Sequence, residues 1–235
     1  MRVSVIIPTW NEARAIAGAL ESLNAQEPDE IIVVDAGSPD GTATLARAFS
    51  GVIVVEGTRG RSAQQNLGAV LATGEILLFL HADCRLSAGS IASLRSFARS
   101  NPKVSGGCFR MRVDHPGAIY RIIDAAADLR AGLLGVPYGD QAIFTTRDAF
   151  AKVGGFPRLS LMEDLFLSLR LRRLGRIAVL TGQVKVSPRR WRAQGVVAQS
   201  ILNWSLTAAA ALGVSPNALA RFYAVVRESD QSPVD

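Results

Sequence analysis

Three short apolar runs near the start of the chain each end on groups able to bind a polar ligand. Asn11 and Glu12 follow the run at residues 3–8, Asp35 closes the run at 30–35, and His81 and Asp83 follow the run at 75–80. A carboxylate placed like Asp35 can accept hydrogen bonds from ribose hydroxyls or a base edge. One placed like Asp83 can hold a hard divalent cation, Mg²⁺ or Mn²⁺, which binds through one or two carboxylates and a diphosphate. Each acid also has a plain structural role available to it. Asp35 can cap the turn at 36–41, and Glu12 can pair with Thr9 in a capping box. Their shared position at the ends of apolar runs favours a site. Farther along, Asp140 and Gln141 follow a glycine-rich turn, and Glu163 and Asp164 open another helical stretch. Acids at a helix start also suit the helix dipole, so Asp164 too has a structural alternative.

The elements that must position these groups can be read from periodicity. Residues 3–8 form a β-branched run stopped by Pro8 and read as a buried strand, 30–35 as a second buried strand, and 52–55 and 75–80 as a third and a fourth strand. Between them, Ile16, Leu20 and Leu23 recur at helical spacing, a short helix fits 42–49, and Ser62 is placed to cap a helix through Leu67, Val70 and Leu71. Four strands alternating with three helices specify a parallel sheet covered on both faces. Ligands of such sheets sit beyond the carboxyl ends of the strands, which is where the acids fall. Later segments are predicted as a half-exposed strand at 109–113, a helix over 117–134, a strand at 142–145 and a helix from about residue 163. The expected fold is therefore α/β, with a mostly parallel central sheet over residues 1–190, a helical segment at 191–227 and a disordered tail at 228–235.

Several chemistries drop out. The loop after the first strand is Pro8-Thr-Trp-Asn-Glu12, without the glycines of a dinucleotide fingerprint, and no Gly-Lys-Ser/Thr phosphate loop occurs. Two cysteines, Cys84 and Cys108, and two histidines cannot build a four-ligand zinc cage, and the thiols read as small buried groups. The apolar run that stops at Pro8 is too short for a secretory segment, which points to the cytoplasm. The net charge is +6, and residues 158–192 carry nine basic groups against Glu163 and Asp164. Such a cluster fits phosphates: a nucleotide diphosphate, nucleic acid or a membrane surface. Nucleic acid is disfavoured because aromatics are only 6% and the acids gather at one sheet edge. The stretch 193–220 carries no charge, but polar residues and Gly213-Val-Ser-Pro216 interrupt it. It suits an interfacial helix anchored by Trp191 and Trp204, packing on the main domain, or a homodimer contact better than a membrane span.

Val3-Ser-Val-Ile-Ile-Pro-Thr-Trp-Asn-Glu12, Ile31-Ile-Val-Val-Asp-Ala-Gly-Ser-Pro-Asp-Gly-Thr42 and Gly74-Glu-Ile-Leu-Leu-Phe-Leu-His-Ala-Asp83 together resemble family-2 glycosyltransferases of the GT-A fold, in that family's order and spacing. Gly139-Asp-Gln-Ala-Ile-Phe144 and Gly154-Gly-Phe-Pro157 with Leu161-Met-Glu-Asp164 are similar to the bacterial branch named radical-SAM/selenodomain-associated transferase 2, linked to arsenosugar biosynthesis. The resemblance implies a metal-dependent, inverting transfer from a UDP- or GDP-sugar to a small-molecule or lipid hydroxyl. It places Pro8, Asn11, Glu12, Asp35, Arg61, His81, Asp83 and Arg190 on the sugar nucleotide, with Asp83 on Mg²⁺ or Mn²⁺. It gives Asp164, beside Glu163, the position of the catalytic base, and leaves Asp140 and Gln141 for the acceptor side. Arg59 falls in the same donor-side loop as Arg61, and Arg189 and Arg192 are further candidates for diphosphate or membrane contact. Arg190-Trp191 resembles the pair of processive relatives, but the rest of that motif is missing, which argues against polymer synthesis. A catalytically inactive protein that binds the sugar nucleotide is disfavoured by the intact Asp83 and Asp164.

Overall fold

The computed structural model describes residues 1–223. β1 (Val3–Thr9), α1 (Ile16–Asn24), β2 (Glu30–Asp35), α2 (Thr42–Arg47), β3 (Val52–Glu56), α3 (Arg61–Leu71) and β4 (Ile76–Phe79) alternate as the periodicity predicts. Then follow β5 (Cys84–Leu86), α4 (Ser90–Ser100), β6 (Gly106–Val113), α5 (Ala118–Leu134), β7 (Phe144–Thr146), α6 (Arg147–Lys152) and α7 (Glu163–Leu174). β8 (Ile177–Val186), α8 (Arg189–Gln194), α9 (Val196–Ala211) and α10 (Pro216–Leu219) complete the described chain. One eight-stranded sheet runs β3-β2-β1-β4-β7-β6-β8-β5. Four neighbouring pairs are parallel, and the antiparallel ones all involve the short strands β5 or β7.

The pleat of β1 divides the core. Val3, Val5 and Ile7 face one apolar layer, with Ile16, Leu20 and Leu23 of α1, Ile91 and Leu94 of α4 and Trp191 of α8. Ile6 faces the other, with Ala69 of α3, Phe150 of α6 and Leu167 and Leu171 of α7. Each large aliphatic side chain so buried stabilises the fold by about 1.5–3 kcal/mol. On α3, a Cβ at Gly68 would lie 2.4 Å from Ile6, so a glycine lets the helix close on the sheet.

Several local expectations give way. β1 runs through Pro8, which pairs in register with Val34, because proline's fixed φ is compatible with a strand and removes a single donor. The Thr9–Glu12 capping box does not form. Thr9 is still strand, its hydroxyl donates to Asp35 Oδ1 at 2.9 Å, and α1 begins at Ile16 with no side-chain cap. Ser62 does not cap α3, which starts one residue earlier behind Gly60. Ala142 adopts φ 49°, so the strand expected at 142–145 is confined to β7. Trp191 is buried, 8% exposed, and meets Tyr120 edge-on at 6.4 Å, which removes it as an interfacial anchor. The tail at 228–235 lies outside the described residues. Among those residues, no helix is long and apolar enough to cross a membrane.

α5 carries its charges inward. β7 pairs with β6 at Gly106 and Gly107 alone, so the β6 edge beyond them needs acceptors. Asp128 takes the Met111 N–H at 2.9 Å and Asp124 takes the Val113 N–H at 2.8 Å, standing in for a missing strand. Arg121 then binds Asp124 at 2.9 Å and the carbonyls of Val113 and His115. The opposite face of α5 leaves Ile122, Leu129 and Leu133 exposed. Replacing Asp124 with Ala leaves a buried N–H and a guanidinium without their partner. We expect a loss of about 2–4 kcal/mol in urea unfolding, whereas a change within 0.5 kcal/mol would contradict the edge-capping role.

Candidate active site

A cavity of about 430 Å³ opens where β1 and β4 end. Thr9, Trp10 and Glu12 come from the β1 end, and His81 and Asp83 follow β4. Tyr138 and Asp140 enter from the turn after α5, and Asp164 enters from the first turn of α7. Arg59, Arg61, Arg189 and Arg190 complete its charged lining. The far wall is C-terminal: Asn203, Leu206 and Thr207 of α9, with Ala220 and Tyr223. Residues past 190 are thus part of the site, held there by packing of Leu206 and Leu219 on Leu161.

Asp164 is oriented by backbone. Its Oδ2 accepts from the Gly139 N–H at 2.6 Å and its Oδ1 from the Leu165 N–H at 2.7 Å. Gly139 is wedged between this carboxylate and His81, since a Cβ there would lie 2.6 Å from His81 Nε2 and 3.1 Å from Asp164 Oδ2. The turn that carries Gly139 is itself braced. Arg130 stacks on the Tyr138 ring at 3.4 Å and donates to Gln141 Oε1 at 3.0 Å, while the Tyr138 hydroxyl meets Thr207 at 3.1 Å. Gln141, expected on the acceptor side, is fully buried in this brace and does not line the cavity, whereas Asp140 does.

Glu163, 1% exposed, lies behind the cavity rather than in it, with its Oε1 2.7 Å from Arg61 Nε. Burial pushes its carboxyl up against the pull of Arg61, while Glu163 in turn holds Arg61 firmly protonated. This pair points a lasting positive charge into the cavity. Arg59 lies over the Trp10 ring at 4.4 Å, and Arg190 reaches the Tyr223 hydroxyl.

Asp83 works against the cost of its own burial. Arg189, whose Nη2 is 3.1 Å away, outweighs that cost with help from His81 and Arg190 and holds the carboxyl below its usual range. Arg189 also grips Glu12 with two hydrogen bonds, at 2.7 and 2.8 Å. Asp140 has a buried Oδ1 with no hydrogen-bond partner among the described residues, and burial raises its carboxyl. His81, Asp83 and Cys84 present ligand atoms within 4.8 Å of one another. Burial pushes the Cys84 thiol well up, so it stays protonated and donates to Asp83. His81 is pushed down to about 4, first by burial and then by Arg61, which leaves its imidazole neutral at pH 7. The Asp83 carboxylate is a hard oxygen donor of the kind that Mn²⁺ or Mg²⁺ takes, His81 offers a neutral nitrogen beside it, and Asp140 lines the same cavity.

Asp35 is 4% exposed and turned into the β2 end. It accepts from Thr9, from the Ser38 N–H at 2.8 Å and from the Ser38 hydroxyl at 2.6 Å. Asn11, at φ 54°, donates its N–H to Ser38 at 2.9 Å and keeps a buried Oδ1 without a partner among the described residues. Three contributors were missed from sequence. Gln64 ties the ends of β1 and β2 by donating to the Thr9 and Val34 carbonyls at 2.7 and 2.8 Å. Tyr138 and Thr207 join the turn to α9. Neither Gln64 nor Thr207 carries a sequence signal, while Tyr138 sits in the glycine-rich turn at 135–139.

The family model for glycosyl transferase family 2 matches residues 4–154, more than half of the sequence. The chain belongs to this family. The O-antigen chain rhamnosyltransferase RfbN of Salmonella typhimurium is 24% identical over 200 residues, 74% of this chain and 62% of the relative. Glycosyltransferase AglE of Haloferax volcanii is 39% identical over 92 residues, 35% of this chain and 30% of that protein. The chain thus spans less than two thirds of these relatives. Among solved structures, Staphylococcus aureus TarS 1-349 in complex with UDP matches with TM-score 0.65 and 21% identity, over 81% of this chain and 62% of that one. Mannosyltransferase PcManGT of Pyrobaculum calidifontis, in complex with GDP-Man and Mn²⁺, matches with TM-score 0.63 and 21% identity, over 94% and 68%. These likenesses establish the GT-A fold.

The wedge at Gly139 is testable without any assay of turnover. Gly139→Ala should cost about 1–3 kcal/mol through overpacking against His81 and Asp164. Gly132→Ala, in the interior of α5 with nothing within 4 Å of the new Cβ, should be neutral or stabilising by up to about 1 kcal/mol. Equal effects in chemical denaturation would show that Gly139 is not held between the two side chains.

Proposed function

We propose that this chain is a metal-dependent, inverting glycosyltransferase that moves a sugar from a nucleotide-diphosphate sugar to a hydroxyl acceptor. One observation carries the reading: a single cavity gathers the cations Arg59, Arg61, Arg189 and Arg190 together with the carboxylates Asp83, Asp140 and Asp164. A diphosphate chelated to a divalent ion needs both signs of charge at once, and a nucleic-acid groove needs one. Family membership and the nucleotide complexes of TarS and PcManGT support the same substrate class.

In this reading Asp164 is the general base. Its carboxylate is fixed by the Gly139 and Leu165 N–H groups and faces the cavity, so it can take the proton of an acceptor hydroxyl that attacks the anomeric carbon. Arg61, kept charged by Glu163, and Arg190 stabilise the charge that develops on the departing nucleoside diphosphate. Asp83 and His81 would hold Mg²⁺ or Mn²⁺, which when bound neutralises diphosphate charge. Pro8, Asn11 and Asp35 are assigned to the nucleoside end, beside the β1 and β2 tips, with the unsatisfied Asn11 Oδ1 available there. Glu12 acts through Arg189, which it holds against Asp83. Asp140 and the wall built by Tyr138 and Leu206 fall to the acceptor.

An apolar stripe on α9, Val197, Ile201 and Trp204, stands exposed at helical spacing, which supports peripheral membrane contact and a lipid acceptor. The arsenosugar branch rests on the motifs at 139–144 and 154–164. The decisive variant is Asp164→Asn, which keeps shape and removes the base. UDP or GDP affinity should stay within about twofold while turnover falls by at least about 10²-fold. Full turnover in that variant would remove Asp164 from the chemistry.

A further inference from the structure

A second hollow, of about 220 Å³, adjoins the main cavity at Asp83, Val186, Ser187 and Arg189 and extends between the start of α1 and the strands β5 and β8. Arg85, Lys185 and Arg192 rim it, together with Arg189, Asp83 and Asp114. We propose that this hollow is a binding site for a phosphate group, separate from the cavity assigned to the sugar nucleotide.

Three independent features support it. Arg85, Lys185 and Arg192 form no ion pair with any described residue. Arg189, by contrast, is committed to Glu12 and Asp83. The rim therefore holds three uncommitted cations against one uncommitted acid, Asp114. Next, Arg85 and Lys185 are directly opposite in the antiparallel β5–β8 ladder. Their side chains rise from the same face with Cβ atoms about 4.5–5.5 Å apart, and like charges so placed destabilise a sheet. An anion seated between them reverses that repulsion. Finally, Arg85 has a built seat. A Cβ at Gly18, in the first turn of α1, would lie 2.5 Å from Arg85 Nε and 2.6 Å from Nη2. The bare surface of this glycine lets the guanidinium rest against the helix.

β5 is an edge strand, and one basic residue there would suffice to discourage pairing with another chain. Three cations converging on one concavity go beyond that need. Two guanidinium forks and an ammonium match the several oxygens of a phosphate better than a single carboxylate. The ligand class is thus inorganic phosphate or a phosphate monoester, either free or presented on a lipid.

The test is calorimetric titration of inorganic phosphate into the full chain at constant ionic strength, for wild type and an Arg85→Gln/Lys185→Gln variant checked for folding by circular dichroism. Wild type should bind, and the variant should bind at least about tenfold more weakly, as expected for lost charge-assisted hydrogen bonds. Neither substituted residue lines the main cavity, so phosphate held there instead would bind the variant undiminished, and that result overturns the proposal. So does an absence of phosphate binding to wild type. If the double variant does not fold, Gly18→Ala serves, because it displaces the Arg85 guanidinium without removing charge and should weaken binding in the same direction. Vesicles of phosphatidylcholine with and without phosphatidic acid then separate the sources. Recruitment that needs phosphatidic acid and is lost in the variant supports a lipid-borne phosphate, and phosphate binding without recruitment supports a soluble one.

Discussion

Arg189 ties α8 to the carboxyl ends of two neighbouring strands of the sheet. Its guanidinium takes both oxygens of Glu12, from the loop after β1, and one oxygen of Asp83, from the loop after β4, and it is itself delivered by α8. Three nearly buried charges in that arrangement are costly unless each stays paired, because removing any one strands the others away from water. The constraint works in both directions. The carboxylates fix where α8 must begin, and α8 fixes the approach of everything C-terminal to it, including Arg190 on the cavity wall.

The same economy governs the opposite side of the cavity. The turn after α5 reaches Asp164 through one backbone N–H, and Arg130, Tyr138 and Gln141 spend their polar groups keeping that turn in place. α5 in turn is oriented by the β6 edge, which draws Asp124 and Asp128 inward and leaves apolar side chains outside. The orientation of a cavity carboxylate is therefore traceable to an unpaired strand edge some distance away. Glu163 completes the pattern: it belongs to the Glu163-Asp164 pair in sequence, yet successive helical residues point in different directions, so one acid enters the cavity while the other supports Arg61 from behind.

Much of this was legible in the sequence, for a physical reason. β1, β2 and β4 are apolar runs buried on both faces, and parallel strands of that kind declare themselves without alternation. Because parallel strands share their carboxyl ends, Glu12, His81 and Asp83 could be placed at one edge from spacing alone. The second half was harder. β8, the longest strand, is broken by Thr181-Gly182 and carries Gln183 and Lys185 outward, so it lacked a continuous apolar signal. β5 is three residues long. Thr9 was misread because a hydroxyl three residues before a glutamate looks like a cap, while its real partner, Asp35, is 26 positions away. Long-range partners such as Gln64 with Val34, or Tyr138 with Thr207, leave no local trace. Trp191 looked interfacial beside three arginines, but Tyr120 and the core claimed it.

The central claim is that the charges around Asp83 are arranged for a metal-bound nucleoside diphosphate. Titrating UDP and then GDP, each with and without Mn²⁺, into wild type and Asp83→Ala examines it most directly. The account requires one nucleotide to bind wild type with a clear dependence on Mn²⁺, and requires Asp83→Ala to lose that dependence. Binding of neither nucleotide in the presence of Mn²⁺, or a Mn²⁺ dependence that survives in Asp83→Ala, would contradict it.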